Sequence, residues 1–308
     1  MSKRRSYRKI ILTVALFLGV FLVFAKFENV DASKTTATAQ SSLATKASAS
    51  ITPSGPAITT APKGSALDSL VKNFASPYDD DIGVVVIDTS TGSKASANGD
   101  EQFVSASIYK LFVAYDTYKQ IDNGTLTLHQ KLGKSVEVDE TGQTIAGCLN
   151  LMITISDNDC GIALGTLDDW AKIDSLLKSE GYTGTKLYNY SSPGIISGDK
   201  QTTANDVAQL LDRLYNGTLL SESSTNAFIA LLKAQTVNNR LPTGLPKGTV
   251  IAHKTGDLYG YLHDAGIIYG SNKNMIVVLM TGNWDEPQAE GIPLFTKLAR
   301  SVWAYMQD

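Results

Sequence analysis

The 308-residue sequence contains little cysteine and little histidine. Its two cysteines, Cys148 and Cys160, and its three histidines, His129, His253 and His263, show no spacing typical of a metal site. The sequence therefore predicts no metal centre, and we expect no cofactor. No internal repeat is evident.

The part of the chain after residue 65 also lacks an excess of positive charge. Nine Lys or Arg and two Asp or Glu precede residue 66, whereas eighteen basic and twenty-eight acidic residues follow, a net charge of −10. Because phosphate backbones are bound by basic surfaces, this composition argues against a nucleic acid partner.

The N-terminus carries the sequence's excess of basic residues. MSKRRSYRK contains five of them, and residues 10–25 form an uncharged apolar run, as in a signal sequence. The run is slightly shorter than a bilayer span of about 20 residues, although Lys26 could snorkel. VFA before Lys26 is a poor cleavage site, so residues 1–26 favour an uncleaved signal-anchor over a cleaved signal. Either alternative puts the rest of the chain outside the cytoplasm, membrane-anchored or secreted.

Residues 27–64 are rich in Ala, Ser and Thr and show no apolar periodicity, which predicts a disordered spacer. The composition and the apolar periodicity change at residue 65, where we expect a folded domain that continues to residue 308. An exported domain permits a disulfide between Cys148 and Cys160, but an unpaired, buried state of both is an equal alternative.

Strands are predicted at both ends of this domain and helices in its middle. ALDSLVKNFA predicts a first helix, and IGVVVIDTSTGSKASANGD predicts a hairpin. Four helices follow, in SIYKLFVAYDTYKQID, IAGCLNLMITI, DDWAKIDSLLKSEG and TANDVAQLLDRLYNG, the last capped by Thr202 or Thr203. GTVIAHKTG, DAGIIYG and MIVVLMTG predict three strands before a final helix over residues 287–306. The pattern predicts one antiparallel sheet built from both chain ends.

The pattern S-x-x-K occurs at Ser107–Lys110, at the predicted start of a helix. There the lysine lies on the same helical face as the serine and could serve as its base, while helix N–H groups could stabilise an oxyanion. The same spacing occurs in four other places, which lie in the targeting segment, in two amphipathic helices and in a loop: Ser6–Lys9, Ser69–Lys72, Ser175–Lys178 and Ser197–Lys200. The predicted structural context therefore favours Ser107–Lys110 as the catalytic pair.

Two further motifs follow Ser107 in order. SDN, from Ser156 to Asn158, comes 49 residues later, and KTG, from Lys254 to Gly256, comes 98 residues after Ser156. Alone, SDN reads as a helix cap or turn and KTG as a strand end. Together, in this order and in these structural contexts, the three motifs indicate a catalytic site.

From residue 66 onward the chain resembles the class A β-lactamases and penicillin-binding proteins. The three motifs carry the resemblance, together with IGVVVIDTSTG, TISDND and HKTGDLYGYLHDAGIIYG. It implies an α/β fold: a three-layer α/β/α sandwich with a five-stranded antiparallel sheet and a helical subdomain. It also implies a small-molecule β-lactam or a cell-wall peptide as the partner, and we expect a monomer.

Roles follow from the resemblance residue by residue. Ser107 would be the acylated nucleophile, and Lys110 would be its base or part of the proton path. Ser156 would relay a proton to the leaving nitrogen, and Asn158 would hold the substrate's amide. Lys254 would supply positive charge and Thr255 a hydroxyl for the substrate carboxylate, and Gly256 would let the substrate approach the strand. The backbone N–H groups of Ser107 and Asp257 would form the oxyanion hole.

The sequence departs from class A β-lactamases in the omega loop, where that family has a glutamate in an E-x-x-L-N pattern. Setting Asn189 on the motif's asparagine puts Thr185 at the glutamate position, and no Asp or Glu occurs between Glu180 and Asp199. The glutamate activates the water that releases the acyl-enzyme, so its absence predicts slow release.

Three functions follow from this departure. The first is a class A-like β-lactamase with slow deacylation, and the second is a penicillin-binding-type carboxypeptidase, transpeptidase or related peptidase or esterase. The third, a non-catalytic binding domain, is disfavoured by the intact motifs. Class C and class D β-lactamases would require Tyr-x-Asn or Ser-x-Val in place of SDN, and a metallo-β-lactamase would require clustered histidines.

Overall fold

The computed structural model describes residues 66–78, 81–135, 137–188, 200–282 and 284–308. The predicted signal or anchor (residues 1–26) and spacer (27–64) lie outside these ranges, and so do residues 189–199. None of the helices in the described ranges is long and apolar enough to cross a membrane.

The central sheet consists of β1 (Ile82–Asp88), β2 (Ser93–Ala97), β5 (Val250–Leu258), β6 (Tyr261–Tyr269) and β7 (Asn274–Thr281). It is antiparallel and has the strand order β2-β1-β7-β6-β5. In the middle of the sheet, Val85 pairs with Ser96 on one side and with Val278 on the other. The sheet predicted from both chain ends is thereby confirmed, and β5, which carries KTG, lies at its edge.

Alternating apolar side chains of the sheet supply two separate cores, because successive strand residues point to opposite faces. Val84 and Val86 pack on one face with α1 (Ala66–Ala75) and α9 (Ile292–Gln307). Val85 packs on the other face with the helices of the middle of the chain. The three-layer sandwich is therefore confirmed.

The middle of the chain forms the helical part. Its helices are α2 (Tyr109–Asp122), α3 (Ile145–Thr154), α4 (Asn158–Asp168), α5 (Trp170–Ser179), α6 (Ala204–Tyr215) and α7 (Glu222–Lys233). Four of these six agree with the predicted helices, and Thr203 caps α6 by accepting from the backbone N–H of Asp206. Helices α4 and α7 were not predicted, and the predicted C-terminal helix is broken at Gly291 into α8 (Pro287–Glu290) and α9.

Two further features tie the helical part together. β3 (Gln102–Val104) and β4 (Gln201–Thr203) form a small antiparallel sheet that the sequence did not predict. Cys148 of α3 and Cys160 of α4, whose pairing the sequence left open, are joined in a disulfide. Both features adjoin a catalytic motif, since β3 leads to Ser107 and the disulfide encloses SDN.

Candidate active site

The structure brings S-x-x-K, SDN and KTG together. Ser107 lies in a 3₁₀ turn (Ala106–Ile108) directly before α2, and Lys110 lies in the first turn of α2. The Lys110 Nζ is 3.1 Å from the Ser107 Oγ, which is a hydrogen-bonding distance. Ala106 has φ +45°, and a non-glycine residue in the left-handed region beside a nucleophile is a form of strain that functional sites retain.

The amine of Lys110 is buried and has defined hydrogen-bond partners. Its Nζ lies 2.7 Å from the Ser156 backbone O and 2.7 Å from the Asn158 Oδ1. A neutral amine has two N–H bonds, which these acceptors would use, so its lone pair would remain for the Ser107 hydroxyl. Space for the lysine stem comes from Gly161 of α4, where a Cβ would lie 3.0 Å from the Lys110 Cε.

Burial lowers the pKa of Lys110 from its ordinary 10.5 to about 8, while the charge of Asp157 opposes the shift. Desolvation favours the neutral amine, which is the form that accepts a proton from Ser107. A lysine with this pKa is partly neutral near neutral pH, as a general base must be. The environment of Lys110 therefore supports the predicted role as base.

We expect the rate of acylation of Ser107 to rise with pH up to about 8 and then to level off. Only neutral Lys110 accepts the proton, so below its pKa the rate should fall about tenfold for each pH unit. Acylation by a penicillin, measured by stopped-flow quenching between pH 5.5 and 9.5, checks this. A rate that is constant between pH 6 and 8 would contradict a basic role for Lys110.

Ser156 lies between α3 and α4 and connects the two lysines. Its Oγ is 2.8 Å from the Lys254 Nζ and 3.4 Å from the Lys110 Nζ. The residue has φ +62°, a conformation that costs a non-glycine residue about 1–3 kcal/mol. The predicted cap reading of SDN is also correct, because the Asp157 side chain accepts from the Cys160 N–H and begins α4.

Lys254 is fully buried in β5. Burial lowers the pKa of Lys254 well below its usual value, and the nearby Lys110 charge lowers it further. Because the two amines lie close to the same serine hydroxyl, the state in which only one of them is charged is easier to form than the state in which both are. Each protonated amine therefore disfavours a proton on the other, while the charge of Asp264 opposes the lowering of the Lys254 pKa. The positive charge that the resemblance assigns to Lys254 stays a prediction.

Gly256 lets β5 approach the nucleophile turn closely. A Cβ at this position would lie 3.1 Å from a side-chain carbon of Ile108 and 3.2 Å from the Ala106 Cβ. Thr255 is almost completely buried beside it, and the Asp257 carboxylate accepts from Arg240 at 2.8 Å. This bond leaves the Asp257 backbone as the group predicted to face the substrate; that role, like the oxyanion hole itself, remains a prediction.

Sequence reasoning missed Arg240. Its guanidinium is buried and donates to the backbone oxygens of Gly256 and His263, each at 2.9 Å, and to the side chain of Asp257. It therefore fixes the end of β5 that follows KTG. Nothing in the segment TVNNRLPTG indicates from sequence that its arginine contacts the end of β5.

His263 was considered only as a metal ligand and instead supports the backbone before the nucleophile. It is fully buried, and burial lowers its pKa to about 4, so the ring is neutral at ordinary pH. The Nδ1 accepts from the Thr281 N–H at 3.2 Å. The Nε2 therefore carries the hydrogen and donates to the Val104 backbone O at 2.7 Å, three residues before Ser107.

Thr185, placed by sequence at the position of the missing glutamate, is buried and hydrogen-bonded. Its Oγ1 lies 2.8 Å from the Asp206 Oδ2 and 2.8 Å from the Thr202 Oγ1. Two carboxylates from neighbouring helices contact the described part of this segment. Asp206 of α6 binds Thr185, and Asp174 of α5 accepts from the backbone N–H groups of Leu187 and Tyr188. Glu180, at the end of α5, binds Lys119 and Arg213 instead, in agreement with its predicted place in the preceding helix. Asn189 and Asp199 lie outside the described residues.

Within the described residues, one group of side chains has ligand atoms close enough for a metal ion: Glu140, Cys148 and Cys160. The two sulfurs of this group are bonded to each other, so neither is a thiolate. The donor set does not fit a metal ion while the disulfide is intact.

A serine hydroxyl paired with a buried, partly neutral amine is the arrangement of a serine hydrolase that forms an acyl-enzyme. Sequence comparison narrows this class. The profile of the Beta-lactamase enzyme family matches residues 66–306, and the chain belongs to this family. It is thus a class A β-lactamase-like serine hydrolase, either a β-lactam hydrolase or similar to the penicillin-binding proteins.

Individual relatives agree with this assignment. Beta-lactamase 3 of Bacillus cereus is 25% identical over 231 residues, which cover 69% of this chain and 72% of the relative. The carbapenem-hydrolyzing beta-lactamase KPC of Klebsiella oxytoca is 26% identical, over 68% of this chain and 80% of its own. The solved structure of PBP-A shares the fold, with a TM-score of 0.70 and 24% identity over 78% of this chain and 97% of PBP-A.

Proposed function

We propose that the protein is an exported serine hydrolase that is acylated on Ser107 by β-lactams and releases the acyl group slowly. The observation that carries this proposal is a difference between the two half-reactions: the site has the groups for acylation but lacks the carboxylate that class A β-lactamases use for deacylation. The groups needed for acylation are present, because the hydroxyls of Ser107 and Ser156 each lie within hydrogen-bonding distance of the Lys110 amine. The segment that supplies the deacylating base in class A β-lactamases contains no carboxylate from residue 181 to residue 198.

The structural surroundings of Thr185 support slow release. Its hydroxyl is held by Asp206 and Thr202, and a threonine hydroxyl is too weak a base to activate water by itself. General-base catalysis contributes about 10²–10⁴-fold, so its loss from one half-reaction separates the two rates by that factor. Among relatives by fold, a leucine-to-glutamate variant of PBP-A has been captured as an acyl-enzyme complex with penicillin G.

With a chromogenic cephalosporin, we expect a burst of about one product per enzyme molecule, followed by a steady phase about 10²–10⁴-fold slower. Rapid-mixing absorbance with a titrated enzyme concentration measures both phases. A linear, fast turnover without a burst would show that deacylation is not limiting and that another group activates the water.

A penicillin-binding-type carboxypeptidase is the second candidate, and the same missing carboxylate favours it. In that case Lys110 and Ser156 would serve both half-reactions on a cell-wall peptide. Release of D-alanine from a peptide ending in D-alanyl-D-alanine distinguishes the two: rapid release together with slow β-lactam turnover would favour the peptidase.

Export is part of the proposal. The basic N-terminus and the apolar run of residues 10–25 support it, and the Cys148–Cys160 disulfide suits an oxidising compartment. Fractionation distinguishes anchor from cleaved signal: an anchored protein stays with the membranes, whereas a secreted one is found in the medium with a shortened N-terminus. A cytoplasmic protein would contradict both.

A further inference from the structure

The Cys148–Cys160 disulfide spans the SDN loop. The two cysteines are 12 residues apart, and Ser156, Asp157 and Asn158 lie between them. Both cysteines are fully buried, one in α3 and the other in α4. The bond thus joins the helix that enters the loop to the helix that leaves it.

The α3 side of the loop has firm supports of its own. The Thr154 backbone O accepts from the backbone N–H and the hydroxyl of Thr236, at 2.9 and 3.1 Å. The Gln235 side chain donates to the Ile153 O at 2.8 Å. These bonds tie the end of α3 to the segment after α7, but none of them reaches α4.

The α4 side depends on contacts made next to Cys160. The Asp157 side chain accepts from the Cys160 N–H at 2.8 Å, and Asn158 accepts from the buried amine of Lys110. Gly161 follows directly and makes room for the Lys110 stem. A shift of α4 along its axis would therefore move Asn158 and the packing around Lys110 together.

The conformation of Ser156 makes the loop sensitive to such a shift. Its positive φ persists only where the surroundings hold both flanks in place. Its Oγ contacts both lysines, and one of those distances, 3.4 Å to Lys110, is already long. A displacement of about 1 Å in a positioning element costs a reaction up to about 10²-fold.

We propose that Cys148 and Cys160 are positioning residues: their disulfide holds Ser156 and Asn158 against Lys110 and Lys254, and the rate of acylation depends on it. This inference rests on the proposed acylation of Ser107 by β-lactams. The bond acts through Ser156 and Asn158, because neither sulfur reaches the reacting atoms.

A double-mutant cycle on the full-length protein tests it. We expect Cys148→Ala with Cys160→Ala to slow acylation by penicillin about 10–100-fold while the far-UV circular dichroism stays unchanged. In a Ser156→Ala background the same pair of changes should cost at least about threefold less, because coupled residues are not additive. Cys148→Val with Cys160→Ala replaces the first pair if the cavity prevents folding.

A stability control separates positioning from general weakening. Ser221→Ala removes the N-cap of α7, away from the loop, and should lower the melting temperature without slowing acylation. Equal slowing by the cysteine pair in both backgrounds, or no slowing, would overturn the inference.

Hydrogen exchange gives a readout that needs no substrate. Removal of the disulfide should speed exchange of the amides of residues 151–160 and leave the central sheet unchanged. If wild-type protein is not acylated at all, the proposed function fails. Unchanged protection of residues 151–160 would then separately overturn the disulfide's positioning role.

Discussion

Incubated with a penicillin, the wild-type protein is expected to gain the mass of one opened drug molecule, whereas Ser107→Ala gains none. The hydroxyl of Ser107 is the group that Lys110 contacts at 3.1 Å, and alanine leaves no nucleophile there. Opening of the β-lactam ring transfers the acyl group without loss of atoms, so the adduct equals the whole drug. Intact-mass spectrometry over time measures both its formation and its decay.

The persistence of the adduct carries the functional conclusion. Without an omega-loop carboxylate, we expect the adduct to remain for many minutes, since deacylation lacks a general base worth about 10²–10⁴-fold. Ser175→Ala is a matched control: Ser175–Lys178 has the same spacing, but Ser175 is exposed in α5. A wild type that neither gains mass nor hydrolyses the drug would contradict acylation by β-lactams.

Much of the fold was predictable because its elements follow simple periodicities. Strands β1 and β7 are apolar runs bounded by turns, and β2 was found from the turn that follows β1. The helices with a clear stripe or cap, such as α1 and α6, were also found. Helix α4 was missed because NDCGIALGTLD contains two glycines and lacks a distinct apolar face. The pairing of β3 with β4 was missed because three-residue strands about 100 positions apart leave no periodic signal.

The candidate site was predictable only where motifs carried it. Ser107, Ser156 and Lys254 are far apart in sequence, and no local property indicates that they meet; the order and resemblance of the three motifs did. Arg240 and His263 were missed because each donates to backbone oxygens. Any buried donor of suitable length can make such a bond, so no particular residue type or motif indicates it. The disulfide was undecidable because pairing depends on Cα geometry that sequence does not contain.

The identity of the base is the remaining chemical question, since two buried lysines contact Ser156. Substitution of Lys110 by methionine is expected to slow acylation about 10²–10⁴-fold, the usual contribution of a general base. Methionine keeps an unbranched apolar stem, but its thioether sulfur is only a weak acceptor and cannot take the proton of Ser107. Lys110→Arg should be as slow, because arginine keeps the positive charge but stays protonated at all accessible pH values.

The pH dependence of the residual rate decides between the lysines. If Lys110 is the base, the rise of the acylation rate up to about pH 8 disappears in Lys110→Met, because the group that titrates there is gone. If the rise persists, or if Lys110→Arg keeps most of the rate, then Lys254 or a charge effect is responsible and the assignment is wrong. Lys72→Met, in the exposed S-x-x-K of α1, is the control, and it should leave both the acylation rate and its pH profile as they are in the wild type. With Lys110 as the base, a proton taken from Ser107 would pass by way of the Ser156 hydroxyl, which contacts both amines, to the leaving nitrogen.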